Sequence, residues 1–139
     1  MRILVLCTGN SCRSQMTQGF LEQHTGIDAY SAGVSIHRVH PGAIKVMREK
    51  GIDISHHTSN HVDEYLGLDF DLVITVCDNA NEKCPVFPAR TRRIHKNFPD
   101  PVRAKGSKEE ILSQFRRTRD MIKSFCDELV AEIKKGRVS

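Results

Sequence analysis

Residues 2–16, RILVLCTGNSCRSQM, hold the part of the sequence that decides the fold. The apolar run at residues 2–6 is short and β-prone, which predicts a buried strand that ends at Cys7. The next five residues include a glycine and an asparagine, which tolerate unusual backbone angles and predict a loop. A helix is expected to begin near Ser14. The segment therefore predicts a strand, a tight loop and a helix in immediate succession.

The rest of the chain alternates strands with helices. Apolar or β-prone runs predict further strands at 29–31, 72–76 and 92–95. Helical patterns and end signals predict four helices. The first covers 15–24, and the second begins at Pro41 and ends at Gly51. The third covers 62–66 with Ser59 or Asn60 as its cap, and the fourth runs from the Ser107–Glu110 capping box to residue 135. The strands at 2–6 and 72–76 are apolar on both faces, as parallel strands covered by helices are. This order predicts one layered α/β domain, spanning 1–139, with right-handed crossovers.

The bulk composition excludes several classes of protein. A chain of 139 residues is long enough for one domain with a real core. No apolar run reaches the roughly eighteen residues of a membrane span, and no cleavage site follows the apolar start, so we expect a cytoplasmic protein with no membrane partner. The net charge of +4, the absence of Trp and the presence of two Tyr argue against nucleic-acid binding. The basic clusters at 90–93 and 116–119 are therefore interpreted as solvated surface.

The cysteines are predicted to take part in a reaction rather than to form structural disulfide bonds. There are five, at positions 7, 12, 77, 84 and 126. An odd number in a reducing compartment argues against a static disulfide framework, and no C-x2-C pair suggests zinc. His57 and His61 have a spacing that can bind a metal on a helix, but their segment is interpreted as a loop and a helix start. We predict no metal, and nucleophilic or redox use of some cysteines.

Cys7 and Arg13 form a C-x5-R motif followed at once by Ser14. A loop wrapped over a helix N-terminus points backbone N–H groups inward and makes an anion site. Arg13 can grip an oxyanion with two hydrogen bonds, and the positive surroundings favour the nucleophilic thiolate of Cys7. Ser14 can donate a hydrogen bond to that thiolate. A buried core cysteine is the alternative interpretation, but the combined pattern favours a site for phosphate or arsenate.

Two reactions remain open for such a site. In hydrolysis, Cys7 takes a phosphoryl group and water removes it. In reduction, a second thiol attacks the sulfur of a Cys7 adduct, and the two thiols, which become a disulfide, supply the electrons that reduce the bound oxyanion. A non-enzymatic oxyanion sensor is a third possibility, although a sensor has no need of a general acid or of a resolving pair of cysteines.

The motif C-T-G-N-S-C-R-S with a later Asp-Pro resembles the low-molecular-weight tyrosine phosphatase family. The chain is more closely similar to the thioredoxin-coupled arsenate reductases built on that fold. The similarity covers nearly the whole chain, including YSAG at 30–33, GIDISHHTS at 51–59, DLVITVC at 71–77, the pair Cys77-x6-Cys84 and FPDP at 98–101. The resemblance implies a three-layer α/β fold with a four-stranded parallel sheet flanked by helices.

The resemblance also implies roles for individual residues. Cys7 would attack arsenate, Asp100 would serve as general acid, and Cys77 and Cys84 would carry a disulfide relay that thioredoxin resets. The implied oxyanion-binding residues are Thr8, Gly9, Asn10, Ser11, Cys12, Arg13 and Ser14. No cofactor is implied. The thiols of Cys12 and Cys126 are predicted to serve packing rather than chemistry.

Departures from the phosphatase pattern bear on the substrate. Tyrosine phosphatases of the family carry tyrosines just after the Asp-Pro pair, where this chain has Val102 and Arg103. A small inorganic anion therefore fits better than a tyrosyl peptide, and a phosphatase acting through phospho-Cys7 is the alternative. Some of the reductases bind potassium through acidic residues near the loop. Here Gln18 and Asn60 stand at those positions, which argues against that site.

Overall fold

A four-stranded parallel sheet lies at the centre of the molecule. The structure, a computed structural model, describes residues 1–137, so the last two residues of the predicted domain lie outside the described residues. The strands are β1 (Arg2–Cys7), β2 (Asp28–Gly33), β3 (Leu72–Thr75) and β4 (Arg92–His95). Their order across the sheet is β2-β1-β3-β4, with parallel pairing throughout.

Helices occupy the connections between the strands. They are α1 (Arg13–Leu21), α2 (Pro41–Arg48), α3 (Asp78–Glu82) and α4 (Lys108–Lys134), with 3-10 turns at Val62–Tyr65 and Pro101–Arg103. Helix α4 packs against α1 and α2, and α3 packs against β1 and β3. Within residues 1–137, no helix combines the length and the apolar character needed to cross a bilayer.

The predicted fold class is confirmed. The predicted helices differ from the observed ones mainly in where they begin and end. Helix α1 begins and ends earlier than predicted, because Arg13 already follows the loop directly. The prediction that Ser59 or Asn60 caps the turn at Val62–Tyr65 is wrong. His61 is the cap, because its ring accepts from the Asp63 N–H while Glu64 accepts from the His61 N–H.

The core explains why β1 and β3 are the most apolar strands. All four residues of β3 are buried, as are five of the six in β1, since each strand has a neighbour on both sides. Edge strand β4 is largely exposed. At roughly 25 cal/mol per Å², burying the central strands supplies the main driving force for forming the sheet.

The basic cluster at 116–119 is only partly exposed. The prediction of solvated surface at 116–119 is wrong for Arg119, whose side chain is buried and donates to the Val46 carbonyl and to Glu49. Arg116 makes a second hydrogen-bonded pair with Glu49, and these hydrogen bonds lower the pKa of that carboxyl. The cluster joins α4 to the end of α2, which no local pattern could reveal.

Candidate functional site

Cys7 and Cys77 lie at the same edge of the sheet. Cys7 ends β1, and Cys77 follows the neighbouring strand β3 after a single residue, Val76, whose N–H still bonds to the Leu6 carbonyl. From β1 the chain crosses to β2 on one side, while β3 lies on the other. Ligands of open α/β sheets bind where the connections diverge in this way, outside the carboxyl ends of the strands.

The loop after β1 turns its carbonyl groups outward. The carbonyl of Thr8 accepts from Val34 and Ser35, that of Gly9 from His37, and that of Ser11 from His40. The hydrogen bonds described for residues 1–137 include none donated by the backbone N–H groups of residues 9–14. These N–H groups surround the start of α1 and are free to bind an anion.

Two glycines allow the loop to approach its neighbours. A Cβ on Gly33 would lie 2.7 Å from the Thr8 carbonyl oxygen, and one on Gly9 would lie 2.7 Å from the His37 ring. Real Cβ atoms do not approach so closely. A side chain at Gly33 would push the loop backbone out of position, whereas one at Gly9 would require the exposed His37 ring to move.

The buried side chain of Asn10 stabilises the loop through hydrogen bonds. Its side chain is fully buried, donates to Ser14 and Ser31 at 2.8 and 2.9 Å, and accepts from the Asn60 N–H at 2.8 Å. Its φ of 49° lies in the left-handed region, which asparagine tolerates better than most residues. Gln15 and Ser59 bind the Asn10 carbonyl from the other side.

We expect Asn10→Ala to lower the free energy of unfolding by about 3 kcal/mol, because it leaves buried partners unpaired. Asn10→Gly loses the same hydrogen bonds but relieves the left-handed backbone, so it should be about 1 kcal/mol more stable than the alanine variant. Urea denaturation of both variants measures the two effects. An alanine variant as stable as the wild type would show that Asn10 does not brace the loop.

Ser14 is aimed at the Cys7 sulfur. The two side-chain atoms, Sγ and Oγ, are 2.9 Å apart in a buried environment. Because the Ser14 oxygen already accepts from Asn10, its own proton is available to the sulfur. Ser14 is therefore placed to donate a hydrogen bond to the Cys7 sulfur when that sulfur acts as a nucleophile.

Arg13 and Asp100 face each other across the mouth of the loop. An Arg13 nitrogen donates to the Phe98 carbonyl at 3.0 Å, and a second lies 3.7 Å from an Asp100 oxygen. Both residues line a cleft of about 730 Å³ that also contains Cys7. The Val102 N–H holds the other Asp100 oxygen at 3.1 Å.

Cys77 reaches the loop through Thr8. Its sulfur lies 3.2 Å from the Thr8 hydroxyl, which accepts from the Asn79 side chain and so has its proton free for the sulfur. Cys77 lines an adjacent cleft of about 330 Å³, and Thr8, Arg13 and Asp100 border both clefts. The structure thus places Cys77 next to the loop that follows Cys7. The Cys77 sulfur contacts the side chain of Thr8, which is the first residue of that loop.

Cys84 lies outside both clefts. It follows α3 by two positions, is half-buried, and its thiol contacts the Pro85 carbonyl at 3.5 Å. All five cysteines are free thiols. Burial raises the pKa of Cys84, while Arg93 opposes that shift.

The two remaining cysteines differ in environment. Cys126 is fully buried in α4, and burial raises its pKa to about 12, so it remains a neutral thiol within the core as predicted. Cys12 is also buried, and its pKa is raised by burial and by the nearby Cys7. Its thiol is packed in the core cluster.

Some residues of the site were missed from sequence. His37, Arg38 and His40 form one wall of the larger cleft. His40 also caps α2, since its Nδ1 accepts from the Gly42 N–H, and burial lowers its pKa. A signal was present, because three basic or imidazole side chains within four residues just before Pro41 is an unusual density.

A second network was also missed. Gln15 donates to the Asn10 and Thr58 carbonyls, and its oxygen lies 2.9 Å from Nδ1 of the buried His57. The Nε2 of His57 lies 2.7 Å from a Glu22 oxygen, close enough for an ion pair but without the direction of a hydrogen bond. These pairs are 5 to 43 positions apart in sequence, so no local pattern reveals them.

The polar groups at Gln18 and Asn60, where the sequence argues against a potassium site, bind other side chains. Gln18 accepts from the Ser31 hydroxyl, and the Asn60 side chain contacts Thr58 and Glu64. Among residues 1–137, no three or more His, Cys, Asp or Glu side chains gather as metal ligands would.

The family described as low molecular weight phosphotyrosine protein phosphatase matches residues 2–139. The chain belongs to this family. It is 48% identical to an arsenate reductase of Bacillus licheniformis over 122 residues, which cover 86% of this chain and 88% of the relative.

Solved structures support the same assignment. A structure titled an arsenate reductase in the phosphate binding state is 34% identical, with a TM-score of 0.77 over 95% of this chain and 98% of that one. The YwlE arginine phosphatase from Geobacillus stearothermophilus is 26% identical, with a TM-score of 0.78 over 98% of this chain and 94% of the other. Proteins with this fold therefore include both reductases and phosphatases.

Proposed function

We propose that this chain is a single-domain cytoplasmic arsenate reductase, spanning 1–139, in which Cys7, Cys77 and Cys84 form a disulfide relay. The observation that carries the proposal is the position of Cys77, whose sulfur lies 3.2 Å from the hydroxyl of the residue that follows Cys7. A hydrolase needs no second thiol there. The 48% identity to a named arsenate reductase adds support.

The first step forms a covalent adduct. The N–H groups of the loop and the Arg13 guanidinium hold arsenate, and the Cys7 thiolate attacks the arsenic. One arsenate oxygen leaves as water after taking a proton, and Asp100, at the edge of the same cleft, supplies that proton. A sulfur–arsenic bond replaces the lost arsenic–oxygen bond, and arsenic remains pentavalent.

The second step is the reduction. The Cys77 thiolate attacks the Cys7 sulfur, and the electron pair of the sulfur–arsenic bond stays on arsenic. Arsenic becomes trivalent and leaves as arsenite, while Cys7 and Cys77 become a disulfide. The Thr8 hydroxyl stabilises the attacking thiolate, because it directs its proton at the Cys77 sulfur.

The third step moves the disulfide outward. Cys84 attacks Cys77, Cys7 leaves as a thiolate, and a Cys77–Cys84 bond remains. Cys77 precedes α3 and Cys84 follows it by two positions, and the five residues of α3 alone rise about 7.5 Å. A disulfide requires Cα atoms roughly 4.4–6.8 Å apart, so we expect α3 to rearrange. Thioredoxin then reduces this bond, and no bound cofactor is required.

Phosphate ester hydrolysis is the second candidate activity. Cys7, Arg13 and Asp100 suffice for it, and the related arginine phosphatase shares the fold. Among the described residues that line the Cys7 cleft, none is Phe or Tyr, so the cleft lacks a wall for a tyrosyl ring. We therefore expect hydrolysis of small aryl phosphates to be a weak side activity.

The test is NADPH consumption with arsenate, thioredoxin and thioredoxin reductase. Wild-type protein should turn over, and Cys84→Ser should lose at least about 99% of that turnover while keeping its aryl-phosphate hydrolysis. Cys126→Ala is the matched control, since it removes a core thiol and should retain turnover. A wild type that hydrolyses aryl phosphate efficiently but never consumes NADPH with arsenate would make this protein a phosphatase.

A further inference from the structure

Helix α3 is docked on the sheet through a histidine that the relay itself does not use. His95 ends β4, and Thr75 ends β3 directly beside it. The His95 Nε2 lies 2.7 Å from a carboxylate oxygen of Asp78, the first residue of α3, and its Nδ1 lies 2.7 Å from the Thr75 hydroxyl. Thr75 in turn lies 3.4 Å from the Asn81 side chain, further along α3.

The imidazole ring of His95 has a hydrogen-bond partner at each of its two nitrogen atoms. A carboxylate can only accept, so Nε2 carries a proton that points at Asp78. The Thr75 hydroxyl lies 2.7 Å from Nδ1 and donates to the Asn81 side chain at 3.4 Å, so it connects His95 to a second residue of α3. His95 therefore links the first residue of α3 to the end of β3.

Helix α3 depends on such contacts because it is short. It has five residues, and only Ala80 among them is buried. A helix of this length does not form by itself in water. Its N-cap is Cys77, so whatever positions the first turn of α3 also positions the Cys77 sulfur.

We propose that His95 is a positioning residue of the cysteine relay, which holds Asp78 so that Cys77 stays against Thr8 until the first disulfide has formed. This inference rests on the proposed reductase function. In the following step the Cys84 thiolate bonds to the Cys77 sulfur, the Cys77–Cys7 bond breaks, and Cys7 departs as a thiolate. Because α3 must rearrange in that step, the contact between His95 and Asp78 opens with it.

In the Cys84→Ser protein the relay stops after the Cys7–Cys77 disulfide, so formation of that disulfide, the step that depends on His95, can be measured alone. One equivalent of arsenate should convert it to the Cys7–Cys77 disulfide, seen after rapid quenching as the loss of two alkylatable thiols in the intact mass. Adding His95→Ala should slow this conversion about tenfold, since a displacement of about 1 Å can cost up to a hundredfold. Aryl-phosphate hydrolysis, which needs neither Cys77 nor α3, should stay within about twofold.

Two conservative variants separate positioning from folding. His95→Gln places an amide near the Nε2 position and can still donate to Asp78, so it should recover most of the rate. His95→Asn places its amide near Nδ1 and should not. Asp78→Ala should slow the step as His95→Ala does, and the double variant should be no slower, because the two residues act through one contact. His24→Ala is a control for replacing a histidine elsewhere.

The outcomes are distinguishable. Conversion at the parent rate in His95→Ala, or an equal loss of aryl-phosphate hydrolysis, would overturn the role of His95 and leave the reductase proposal intact. Failure of the Cys84→Ser parent itself to form a disulfide with arsenate would overturn the proposed function and this inference together.

Discussion

Cys7→Ser is expected to lower arsenate reduction and aryl-phosphate hydrolysis together, each by at least about a thousandfold. A serine hydroxyl stays protonated where a thiol can ionise, and the hydrogen bond from Ser14 at 2.9 Å cannot make up that difference. The proposed anion site consists of backbone N–H groups and Arg13, which this substitution does not change, so phosphate binding should survive. Activity assays with calorimetric titration of phosphate measure both properties.

The comparison with a second thiol makes this prediction specific. Cys126→Ala, which changes a buried cysteine in α4, should keep both activities within a few-fold. A Cys7→Ser protein that retained hydrolysis while losing reduction would assign the hydrolytic nucleophile to another group and contradict the proposed adduct.

Arg13→Lys should lower kcat/KM for arsenate by about a hundredfold or more, although it preserves the positive charge. Lysine cannot make the two parallel hydrogen bonds of a guanidinium, and removing one donor to a developing oxyanion typically costs about 10² to 10³. It also loses the contact with the Phe98 carbonyl that orients the side chain. The inhibition constant for phosphate should rise together with the loss of turnover.

Arg103→Lys provides a matched control. The Arg103 guanidinium also lies 3.7 Å from Asp100, but its side chain is 88% exposed. An exposed ion pair contributes little, so this variant should stay within about threefold of the wild type. Equal losses in the two variants would mean that charge near Asp100, rather than the geometry of Arg13, governs the reaction.

Much of the candidate site is local in sequence and was therefore predictable. Residues 8–12 form the loop between β1 and α1, so the predicted anion-binding residues at 8–14 are contiguous and their spacing alone indicates an anion site. Cys77 was placed correctly because β3 is an apolar run that ends beside it, and strands in a parallel sheet share one carboxyl edge.

The missed features depend on partners that are distant in the chain. The burial of Arg119 requires Glu49 and the Val46 carbonyl, some seventy positions away. The contact between His95 and Asp78 depends on β4 lying beside β3, which places residues 17 positions apart within 2.7 Å of each other. Periodicity and capping signals report on single elements, so they carry no information about such pairs.

The exposed side chains of β4 also bear on how the protein behaves in a crowded cell. Among residues 1–137, β4 pairs with β3 alone, so its outer side presents backbone groups that another chain could extend into a larger sheet. Arg92 and Arg93 are exposed along this strand. Like charges would meet wherever two copies approached edge to edge, so this composition protects the protein against aggregation.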